Sequence, residues 1–584
     1  MASIPVESGA GPGLAISSLT VHYFGRDTPA LSDVSVDVRP GALVGVAGRN
    51  GAGKSTLALA AAGLIPRVVR ARLEGTVTAD GVPLGTSEGV ASHVGIVFPN
   101  PHNQISATKA TVREELAFGL ENLGVARADM ERRIEAIAAR LGLSELLDRY
   151  PFALSGGEQQ RVAIGSVVAL GGRVLVLDEP TGQLDPAGTE TVRDLLLTQA
   201  EDGTAVLCAE HSDVVLATAD RVLVLDAGRS VGIATPRVAL SGQALAASGL
   251  EPPTIIRLAE LAGLGVDDPL DDEHIADALA GAAVGPDRRP TDGDDRSATD
   301  LGGRFAVRDG ALLEIADLRY RYPTGIDAVR GVDLRVEPGE RVAIVGQNGS
   351  GKTTLVKHIN GLLRPSTGRV SLAGRDLSTI KVHEAARTIG FVFQNPDDQL
   401  FNRSVERELA FGPRNLAFSS ERSAQLIDAA LSAAQLQGVR SDNPYDLGYS
   451  DRKLVALASV LAMDPAILVL DEPTTGQDGP GVAQVGAIVD GLSAIGRTVI
   501  AITHDMEFAA RHFGRIVVMR QGEVVADGTP EAVFAPGQEE LLASTGLRPP
   551  LAARIGAKLG LGSTPTVDAL LDALAVADAV VKPD

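Results

Sequence analysis

The sequence A-L-V-G-V-A-G-R-N-G-A-G-K-S-T-L-A-L-A-A-A-G at residues 42–63 joins an apolar β-rich run, a glycine-rich loop and a strong helix former. Strand, glycine loop and helix in this order are the context that a phosphate-binding loop requires. The loop returns as G-Q-N-G-S-G-K-T-T at residues 346–354. Because the motifs that follow each loop also return in the same order, the chain contains a long internal repeat, which predicts a pair of nucleotide-binding domains.

The composition argues against nucleic acid as a partner. The 584 residues include 53 Lys plus Arg and 74 Asp plus Glu, which gives a formal net charge of −21. No basic block is present that would follow a phosphate backbone. The length is too great for one hydrophobic core and suits two large units or several smaller ones.

The single cysteine, Cys208, excludes an intramolecular disulfide and fits a reducing compartment. Its neighbours T-A-V-L-C-A indicate a buried strand, which favours an inert core thiol over a reactive one. The N-terminus lacks the charged start and apolar run of a signal peptide. No stretch reaches the roughly 18 apolar residues of a membrane-spanning helix. We therefore expect no direct membrane insertion, and contact with a membrane only through a partner.

Strand and helix signals alternate through both halves, and V-L-V-L-D at 174–178 is continuous and apolar. Such runs are typical of strands covered on both faces, so we expect an α/β core with mainly parallel central strands. Paired segments ending in G-L-E-P-P and G-L-R-P-P add a helical tail to each half. The predicted division is a disordered lead (1–13), a first nucleotide-binding domain (14–235), its helical tail (236–265), an acidic flexible linker (266–310), a second nucleotide-binding domain (311–530) and its tail (531–584).

The predicted linker is rich in Asp, Gly, Pro and Arg, a composition that buries little surface and favours a flexible tether. Within it, H-I-A-D-A-L-A at 274–280 is a short helical piece that the first tail could include.

The two glycine loops carry the residue types that hold a nucleotide. Backbone N–H groups at a helix N-terminus point at the phosphates, and Lys54 or Lys352 reaches the β and γ oxygens. Ser55 and Thr353 offer a hydroxyl to Mg²⁺. One such loop alone can be a chance glycine-rich turn, because motif matches carry false positives.

Each half also ends an apolar strand in Asp-Glu. We expect Asp178 and Asp471 to hold the shell of the metal, and Glu179 and Glu472 to polarise an attacking water. The alternative is a solvated strand end. The Asp-Glu pair recurs at equivalent offsets from a phosphate loop in both halves, which favours a role in catalysis and metal binding.

A histidine follows the next apolar strand in both halves, His211 in C-A-E-H-S-D and His504 in A-I-T-H-D-M. Near a γ-phosphate such a histidine can donate a hydrogen bond to developing charge. A lone histidine is more often structural, and the paired context is what favours catalysis here.

These motifs in this order resemble the ATP-binding subunits of ABC transporters, over nearly the whole chain outside the linker. The most specific mark is L-S-G-G-E-Q-Q-R at 154–161, which is similar to the signature sequence of that family. The resemblance implies two P-loop NTPase ABC domains in tandem, each with a helical signature subdomain and a C-terminal helical tail. It also implies that the domains meet head to tail, with Ser155, Gly156 and Gly157 capping the phosphate held by Lys352.

Further positions match the family one by one. Tyr23 and Tyr322 match its adenine-stacking aromatic, although they could be ordinary strand aromatics. Asp185 and Asp478 match the loop that communicates across the dimer. Gln394, in F-V-F-Q-N-P, matches the glutamine that touches Mg²⁺ and the lytic water and leads to the transmembrane partner.

The resemblance therefore implies three sets of site residues, with ATP and Mg²⁺ as cofactors. The catalytic set is Glu472, His504, Gln394, Glu179 and His211. The metal set is Ser55, Asp178, Thr353, Gln394 and Asp471. The nucleotide-binding set is Tyr23, Gly48, Asn50, Gly51, Gly53, Lys54, Ser55, Thr56, Tyr322, Gly346, Asn348, Gly349, Gly351, Lys352, Thr353, Thr354, Ser155, Gly156, Gly157, Glu158 and Gln159.

The two copies diverge at two places. Pro99 stands where the second half has Gln394, and proline has neither a side-chain oxygen nor a backbone donor. The second signature reads L-G-Y-S-D-R-K at 447–453, with Tyr449 where glycine lets backbone approach phosphate. Both defects fall on the composite site built on Lys54. We expect one intact site with most of the turnover and one impaired site that binds ATP and turns it over slowly.

The segments V-F-P-N-P-H-N-Q-I at 97–105 and V-F-Q-N-P-D-D-Q-L at 392–400, with the paired tails, resemble the energy-coupling factor group of importers. This resemblance implies a peripheral ATPase on the cytoplasmic face of the cell membrane. Its partners would be a transmembrane coupling protein and a small membrane component that captures a vitamin, a vitamin precursor, nickel or cobalt.

Two alternatives stay open. The ATPase pair of another ABC transporter fits the core motifs equally well, and only the F-x-N-P segments and tails argue against it. A soluble ABC-type translation or nucleic-acid factor would carry a charged helical insert between its domains, whereas the linker is acidic and broken by glycine and proline. The cargo and the pairing of halves within or between chains are not encoded in these motifs.

Overall fold

The computed structural model describes residues 13–84, 94–245, 250–281, 312–323 and 325–581. The chain divides into two units, Met1–Arg257 and Leu258–Asp584. The predicted lead up to residue 12 and the predicted linker beyond residue 281 lie outside the described residues. The predicted domain boundaries remain proposals.

The first unit contains two sheets. The antiparallel sheet has the order β2-β1-β4-β5, formed by β1 (Leu14–Tyr23), β2 (Leu31–Val38), β4 (Ala71–Ala79) and β5 (Val82–Pro83). The other sheet has the order β10-β9-β3-β8-β7-β6, formed by β3 (Leu43–Gly48), β6 (Val94–Val97), β7 (Val174–Asp178), β8 (Ala205–Ala209), β9 (Arg221–Asp226) and β10 (Arg229–Ala234). All of its pairings are parallel except that of β10 with β9.

The parallel strands explain where the site forms. Every residue of β7 and of β8 is buried, because helices cover both faces of the sheet. The carboxyl ends of parallel strands meet at one edge, where ligands bind in open α/β sheets. Cys208 is buried within β8, where burial, followed by the charges of Glu210 and Asp178, raises its thiol pKa far above the ordinary value. The predicted inert core thiol matches this position.

The helices of the first unit pack around these sheets and extend to the boundary between the units. They are α1 (Lys54–Ala61), α2 (Val112–Asn122), α3 (Arg127–Arg140), α4 (Gly156–Val168), α5 (Pro186–Glu201), α6 (Asp213–Leu216), α7 (Pro236–Ala239), α8 (Gly242–Leu245) and, across the boundary, α9 (Thr254–Leu261).

The second unit repeats the two sheets. Its antiparallel sheet has the order β12-β11-β14-β15, formed by β11 (Leu313–Arg321), β12 (Asp327–Val336), β14 (Thr367–Leu372) and β15 (Arg375–Asp376). Its mainly parallel sheet has the order β16-β17-β18-β13-β19-β20, formed by β13 (Arg341–Val345), β16 (Ile389–Val392), β17 (Ile467–Asp471), β18 (Thr498–Ile502), β19 (Arg515–Arg520) and β20 (Glu523–Gly528). The predicted α/β class with mainly parallel central strands is confirmed in both units.

The second unit also contains helices around its two sheets. They are α10 (Asp272–Gly281), α11 (Lys352–Ile359), α12 (Val382–Ala385), α13 (Val405–Asn415), α14 (Ser420–Ala433), α15 (Tyr449–Leu461), α16 (Gly479–Ala494), α17 (Met506–His512), α18 (Pro530–Val533), α19 (Glu539–Ser544), α20 (Leu551–Lys558) and α21 (Val567–Val581). None of the helices in the described parts of the chain is long and apolar enough to cross a membrane.

Helix α10 lies in the segment that the sequence analysis assigns to the linker. It packs on α20, and its side chains Ile275, Ala276 and Leu279 are buried. Arg554 of α20 donates two hydrogen bonds to the Asp272 carboxylate, at 2.7 and 3.0 Å. A tether over the whole of 266–310 is therefore too broad an interpretation, because 272–281 is a packed helix.

Candidate nucleotide-binding sites

Both glycine loops place a glycine immediately before the helix. Gly53 and Gly351 are the N-cap residues of α1 and α11, with φ of 102° and 100°. A side chain at Gly53 would be strained in this left-handed region, and its Cβ would lie 2.8 Å from the Ala30 carbonyl oxygen. Neither helix has a side-chain N-cap hydrogen bond. The loop geometry therefore leaves the first amides of each helix oriented for an anion.

The two lysines fold back on their own loops. The Lys54 ammonium donates to the carbonyl oxygens of Gly48 and Arg49, at 2.9 and 3.3 Å. In the second unit, Lys352 donates to Gly346 and Gln347, at 2.7 and 3.0 Å. Both side chains are buried, so each positive charge is held at the mouth of the loop, where phosphate oxygens would bind.

The Asp-Glu pairs sit at the ends of β7 and β17 in a strained backbone. Glu179 and Glu472 have φ of 48° and 51°, a region that non-glycine residues rarely adopt. Their N–H groups donate to the carbonyl oxygens of Ala209 and Ile502, at 2.8 and 2.9 Å. This turn directs each glutamate away from the strand and towards the loop side of the sheet.

The metal-candidate aspartates are suited to a hard cation. Burial, and then the charge of the adjacent glutamate, raises the pKa of Asp178 and of Asp471 to about 7. Oδ1 of Asp471 is buried and has no hydrogen-bond partner. Ser55 donates from its hydroxyl to Asp178 Oδ1 at 3.2 Å.

These oxygens fit Mg²⁺, which prefers one or two carboxylates completed by waters and substrate phosphates. The orphaned Asp471 oxygen would gain the partner that it lacks. No group of three or more His, Cys, Asp or Glu side chains in the described residues could hold a metal ion by itself.

The histidines contact the glutamates differently in the two units. His504 Nδ1 lies 2.8 Å from Glu472 Oε2. Burial opposes charge on both groups, but their mutual attraction outweighs it, so the Glu472 pKa falls below and the His504 pKa rises above the ordinary value. In the first unit, His211 Nε2 lies 3.3 Å from Glu179 Oε1 and 2.9 Å from the Lys54 ammonium.

Two tyrosines and an asparagine also form hydrogen-bond contacts with residues of the candidate sites. The hydroxyl groups of Tyr23 and Thr56 are 3.2 Å apart, and those of Tyr322 and Thr354 are 3.1 Å apart. Each tyrosine is thereby fixed beside the start of its phosphate-loop helix. Asn50 contributes its Oδ1 atom at 3.1 Å from His211 Nε2.

The signature of the first unit forms a capped helix start. Ser155 is the N-cap of α4 and forms a capping box with Glu158. Glu158 accepts hydrogen bonds from the Ser155 N–H and hydroxyl, both at 2.8 Å. Gln159 is buried and donates to the Leu154 carbonyl oxygen at 3.1 Å. In the second unit, the equivalent helix α15 begins after Gly448, which has no side chain to cap it.

Gln394 and Pro99 occupy equivalent places after β16 and β6. These strands pair with β17 and β7, whose ends carry the Asp-Glu pairs. Gln394 is exposed and therefore available to a ligand at this edge of the sheet. Because β16 pairs with β17, the loop of Gln394 lies beside the strand end that carries Glu472.

Sequence reasoning missed two glutamines that fix these loops. Gln104 Oε1 accepts from the Phe98 N–H at 3.0 Å, and Gln399 Oε1 accepts from the Phe393 N–H at 3.1 Å. Gln399 also donates to the Ala456 carbonyl oxygen of α15 at 2.7 Å. The recurrence of this glutamine six residues after the phenylalanine that starts each F-x-N-P segment is the signal that could have found it.

It also missed Glu210, which is buried between two site segments. Its carboxylate accepts from the Thr181 N–H at 2.9 Å and from the His211 N–H at 2.7 Å. It therefore joins the turn after Glu179 to the histidine loop. The second unit has Thr503 at this position, so the two histidine loops are supported differently.

The comparisons with known proteins agree with this geometry. A protein of Methanosarcina acetivorans is 38% identical over 562 residues, which cover 94% of this chain and 90% of that protein. The family described as ABC transporter matches residues 31–182 and 329–475. The chain belongs to the ABC transporter family, as a tandem ATP-binding protein. This membership makes it an ATPase that uses ATP with Mg²⁺ as the usual partner ion.

Both this relative and others are described as ABC transporter ATP-binding proteins. A protein of Caldanaerobacter subterraneus is 33% identical over 561 residues, covering 94% of this chain and 96% of its own length. Among solved structures, CbiO1 of Clostridium perfringens, described as part of the ABC transporter complex CbiONQ, is 33% identical. It covers 42% of this chain and 99% of its own, with a TM-score of 0.37.

Proposed function

We propose that this ABC ATPase is the motor subunit of an energy-coupling factor importer for a vitamin, a vitamin precursor, or nickel or cobalt ions. The observation that carries the proposal is the repeated F-x-N-P segment with an exposed aromatic surface beside it in each unit. The proposed location is peripheral, on the cytoplasmic face of the cell membrane. The proposed partners are a transmembrane coupling protein and a small substrate-binding membrane component.

The aromatic surface of the second unit consists of Phe401, Phe411 and Tyr445. Phe401 and Phe411 are 56% and 48% exposed, and their rings pack edge to face with centroids 4.7 Å apart. Exposed rings that pack against each other mark interaction sites more than scattered apolar residues do. Phe401 follows the Gln394 loop by a few residues, so a partner seated here would lie near the candidate active site.

The aromatic surface of the first unit consists of Phe118 and Tyr150. The Lys109 ammonium lies 5.3 Å from the Phe118 ring centroid, and the Tyr150 ring packs on Phe152 at 5.7 Å. This surface is more polar than that of the second unit, where Phe401 replaces Ser106. Two different surfaces suit two different contact segments of an asymmetric membrane partner.

We further propose one active and one slow ATP site. In the second unit, Lys352 would hold phosphate oxygens and Thr353, Asp471 and Gln394 would hold the metal. Bound Mg²⁺ would neutralise charge on the phosphate oxygens. The Glu472 carboxylate would polarise the attacking water, and His504 would donate a hydrogen bond to the γ-phosphate.

The signature residues Ser155, Gly156, Gly157, Glu158 and Gln159 would cap this site in a head-to-tail pair. The site of the first unit would contain Lys54, Ser55, Asp178, Glu179 and His211. It would turn over slowly, because Pro99 replaces the metal-facing glutamine and Tyr449 occupies the opposing signature.

The test is affinity purification of the tagged chain from native membranes, with identification of the proteins that co-purify. Recovery of a transmembrane coupling protein and a small membrane component is expected. Phe401→Ser combined with Phe411→Ser should abolish that recovery, while Val576→Ser, at a residue that is 65% exposed, should not. Recovery of conventional permease subunits would favour another ABC transporter. Recovery of ribosomes would contradict transport and leave the ATPase activity intact.

A further inference from the structure

The altered signature of the second unit packs against an altered loop of the same unit. The loop after Glu472 reads T-T-G-Q-D at 474–478, whereas the loop after Glu179 reads T-G-Q-L-D at 181–185. In both units this loop lies against the start of the signature helix, α15 or α4. The differences in the two segments occur at positions that contact each other.

The first pair of differences exchanges a large and a small residue. In the first unit, a Cβ added at Gly156 would lie 3.0 Å from Gln183 Oε1. In the second unit, Tyr449 replaces that glycine and Gly476 replaces that glutamine. A Cβ added at Gly476 would lie 2.7 Å from the Tyr449 ring. Each unit thus places one glycine at this contact, on opposite sides.

The second pair of differences adds a buried polar contact. Ser450 replaces Gly157 and Gln477 replaces Leu184. The Ser450 hydroxyl donates to Gln477 Oε1, and Gln477 Nε2 donates to the Ser450 carbonyl oxygen at 3.3 Å. Both side chains are buried, where a satisfied polar contact fixes geometry and an unsatisfied one would be costly.

The third difference reaches the candidate catalytic glutamate. Lys453, which replaces Gln160, is 5% exposed. Its ammonium donates to the carbonyl oxygens of Glu472 and Thr475, at 2.6 and 2.8 Å. In the first unit, Gln160 donates only a long bond of 3.4 Å to the Phe98 carbonyl oxygen, and its Oε1 is unpaired. Among the described residues of the first unit, Gln160 therefore does not link the signature helix to Glu179 as Lys453 links it to Glu472.

A buried ammonium bonded to two carbonyl oxygens is a strong restraint, because charge-assisted hydrogen bonds are about twice as strong as neutral ones. It acts on Glu472 at a backbone conformation with φ of 51° that costs energy to maintain. Burial lowers the pKa of Lys453 to about 8, against the opposing charges of Glu472 and Asp471.

We propose that Lys453 is a positioning residue for hydrolysis at the second-unit site, and that the divergent signature of this unit supports its own catalytic loop. The lysine fixes the Glu472 backbone, and Tyr449 and Ser450 fix the loop that follows. The inference deepens the proposed function, since it rests on Glu472 as the water-polarising residue.

The test is ATP hydrolysis by the full-length variant Lys453→Met, with Lys381→Met, which removes an exposed lysine outside the site, as the control. We expect kcat to fall about tenfold, the size of a modest misplacement of a catalytic group, with the KM for Mg-ATP unchanged within about threefold. Lys381→Met should leave both parameters near those of the parent chain. Lys453→Gln, which installs the residue of the first unit, should reproduce the fall in kcat even if the methionine variant does not fold.

A double-mutant cycle separates positioning from general structure. In single-turnover assays, Lys453→Met should add little to the loss caused by Glu472→Gln, because both act on one group. If the losses of the two single variants multiply in the double variant, the inference about Lys453 is wrong. The same follows if Lys453→Gln leaves kcat unchanged while Glu472→Gln is impaired. In both cases the proposed active site itself still stands. Full turnover in Glu472→Gln would contradict the proposed active site and overturn the inference with it.

Discussion

The two candidate sites contain the same motif residues but connect them differently. In the second unit, His504 Nδ1 lies 2.8 Å from Glu472 Oε2, and the Lys352 ammonium donates to the carbonyl oxygens of Gly346 and Gln347. In the first unit, His211 lies between Lys54, Asn50 and Glu179. Identical motifs therefore do not guarantee identical chemistry, because the side chains around them decide which pairs form.

The glutamates should show the largest difference between the units. Glu472→Gln removes the proposed water-polarising carboxylate and should lower steady-state turnover by about 100-fold or more, the usual contribution of a general base. Glu179→Gln is the matched variant and should lower turnover by less than about threefold. The measurement is phosphate release at saturating Mg-ATP. Equal losses in the two variants would show that both sites carry the turnover.

The position occupied by Gln394 in the second unit and Pro99 in the first should have the next largest effect on turnover. Gln394→Pro gives the second unit the residue of the first and should lower turnover by about tenfold, because it removes the amide proposed to position the metal and the water. Pro99→Gln should raise turnover by no more than about threefold, since Tyr449 would still occupy the opposing signature.

The readout for this pair is kcat at saturating ATP, with retained nucleotide binding as the folding control. A gain of tenfold or more in Pro99→Gln would mean that the proline alone silences the first-unit site.

The exchange of Tyr449 and Gly476 predicts a stability effect. Gly476→Gln would force a side chain into the Tyr449 ring and adopt φ of 70°, so we expect about 1 to 3 kcal/mol of destabilisation. Adding Tyr449→Gly should recover part of this loss, and about 1 kcal/mol should remain from the left-handed backbone. Thermal unfolding checks both variants. Strictly additive effects would show that the two residues are not coupled.

The sequence predicted the parts of the site that depend on local geometry. Glycines before α1 and α11, the Asp-Glu strand ends and the parallel core follow from short segments with their own conformational requirements. Lys453 and Glu210 were missed because they bond groups that lie 19 to 29 residues away. Gln399 bonds the nearby Phe393 N–H and was missed although the same spacing recurs at Gln104. A buried lysine in a helix pattern looks like a solvated charge until the fold places carbonyl oxygens around it.

Helix α10 shows the same limit at the level of domains. Its acidic start and the surrounding glycine and proline favoured a tether, but the buried face formed by Ile275, Ala276 and Leu279 depends on α20, which follows much later in the chain. Composition describes what a segment can bury alone. It does not report the surface that another element offers.

The smallest effect is expected at the contact between α10 and α20. Arg554→Ala removes the bidentate pair with Asp272 and a hydrogen bond to the Pro549 carbonyl oxygen at 3.0 Å. Because the pair is part-exposed, the loss should be about 1 kcal/mol or less. Arg127→Ala, which breaks an exposed pair with Glu131, is the matched control and should change the unfolding temperature still less. A loss in Arg554→Ala of several kcal/mol, measured by thermal unfolding, would mean that this helix contact supports the second unit as a whole.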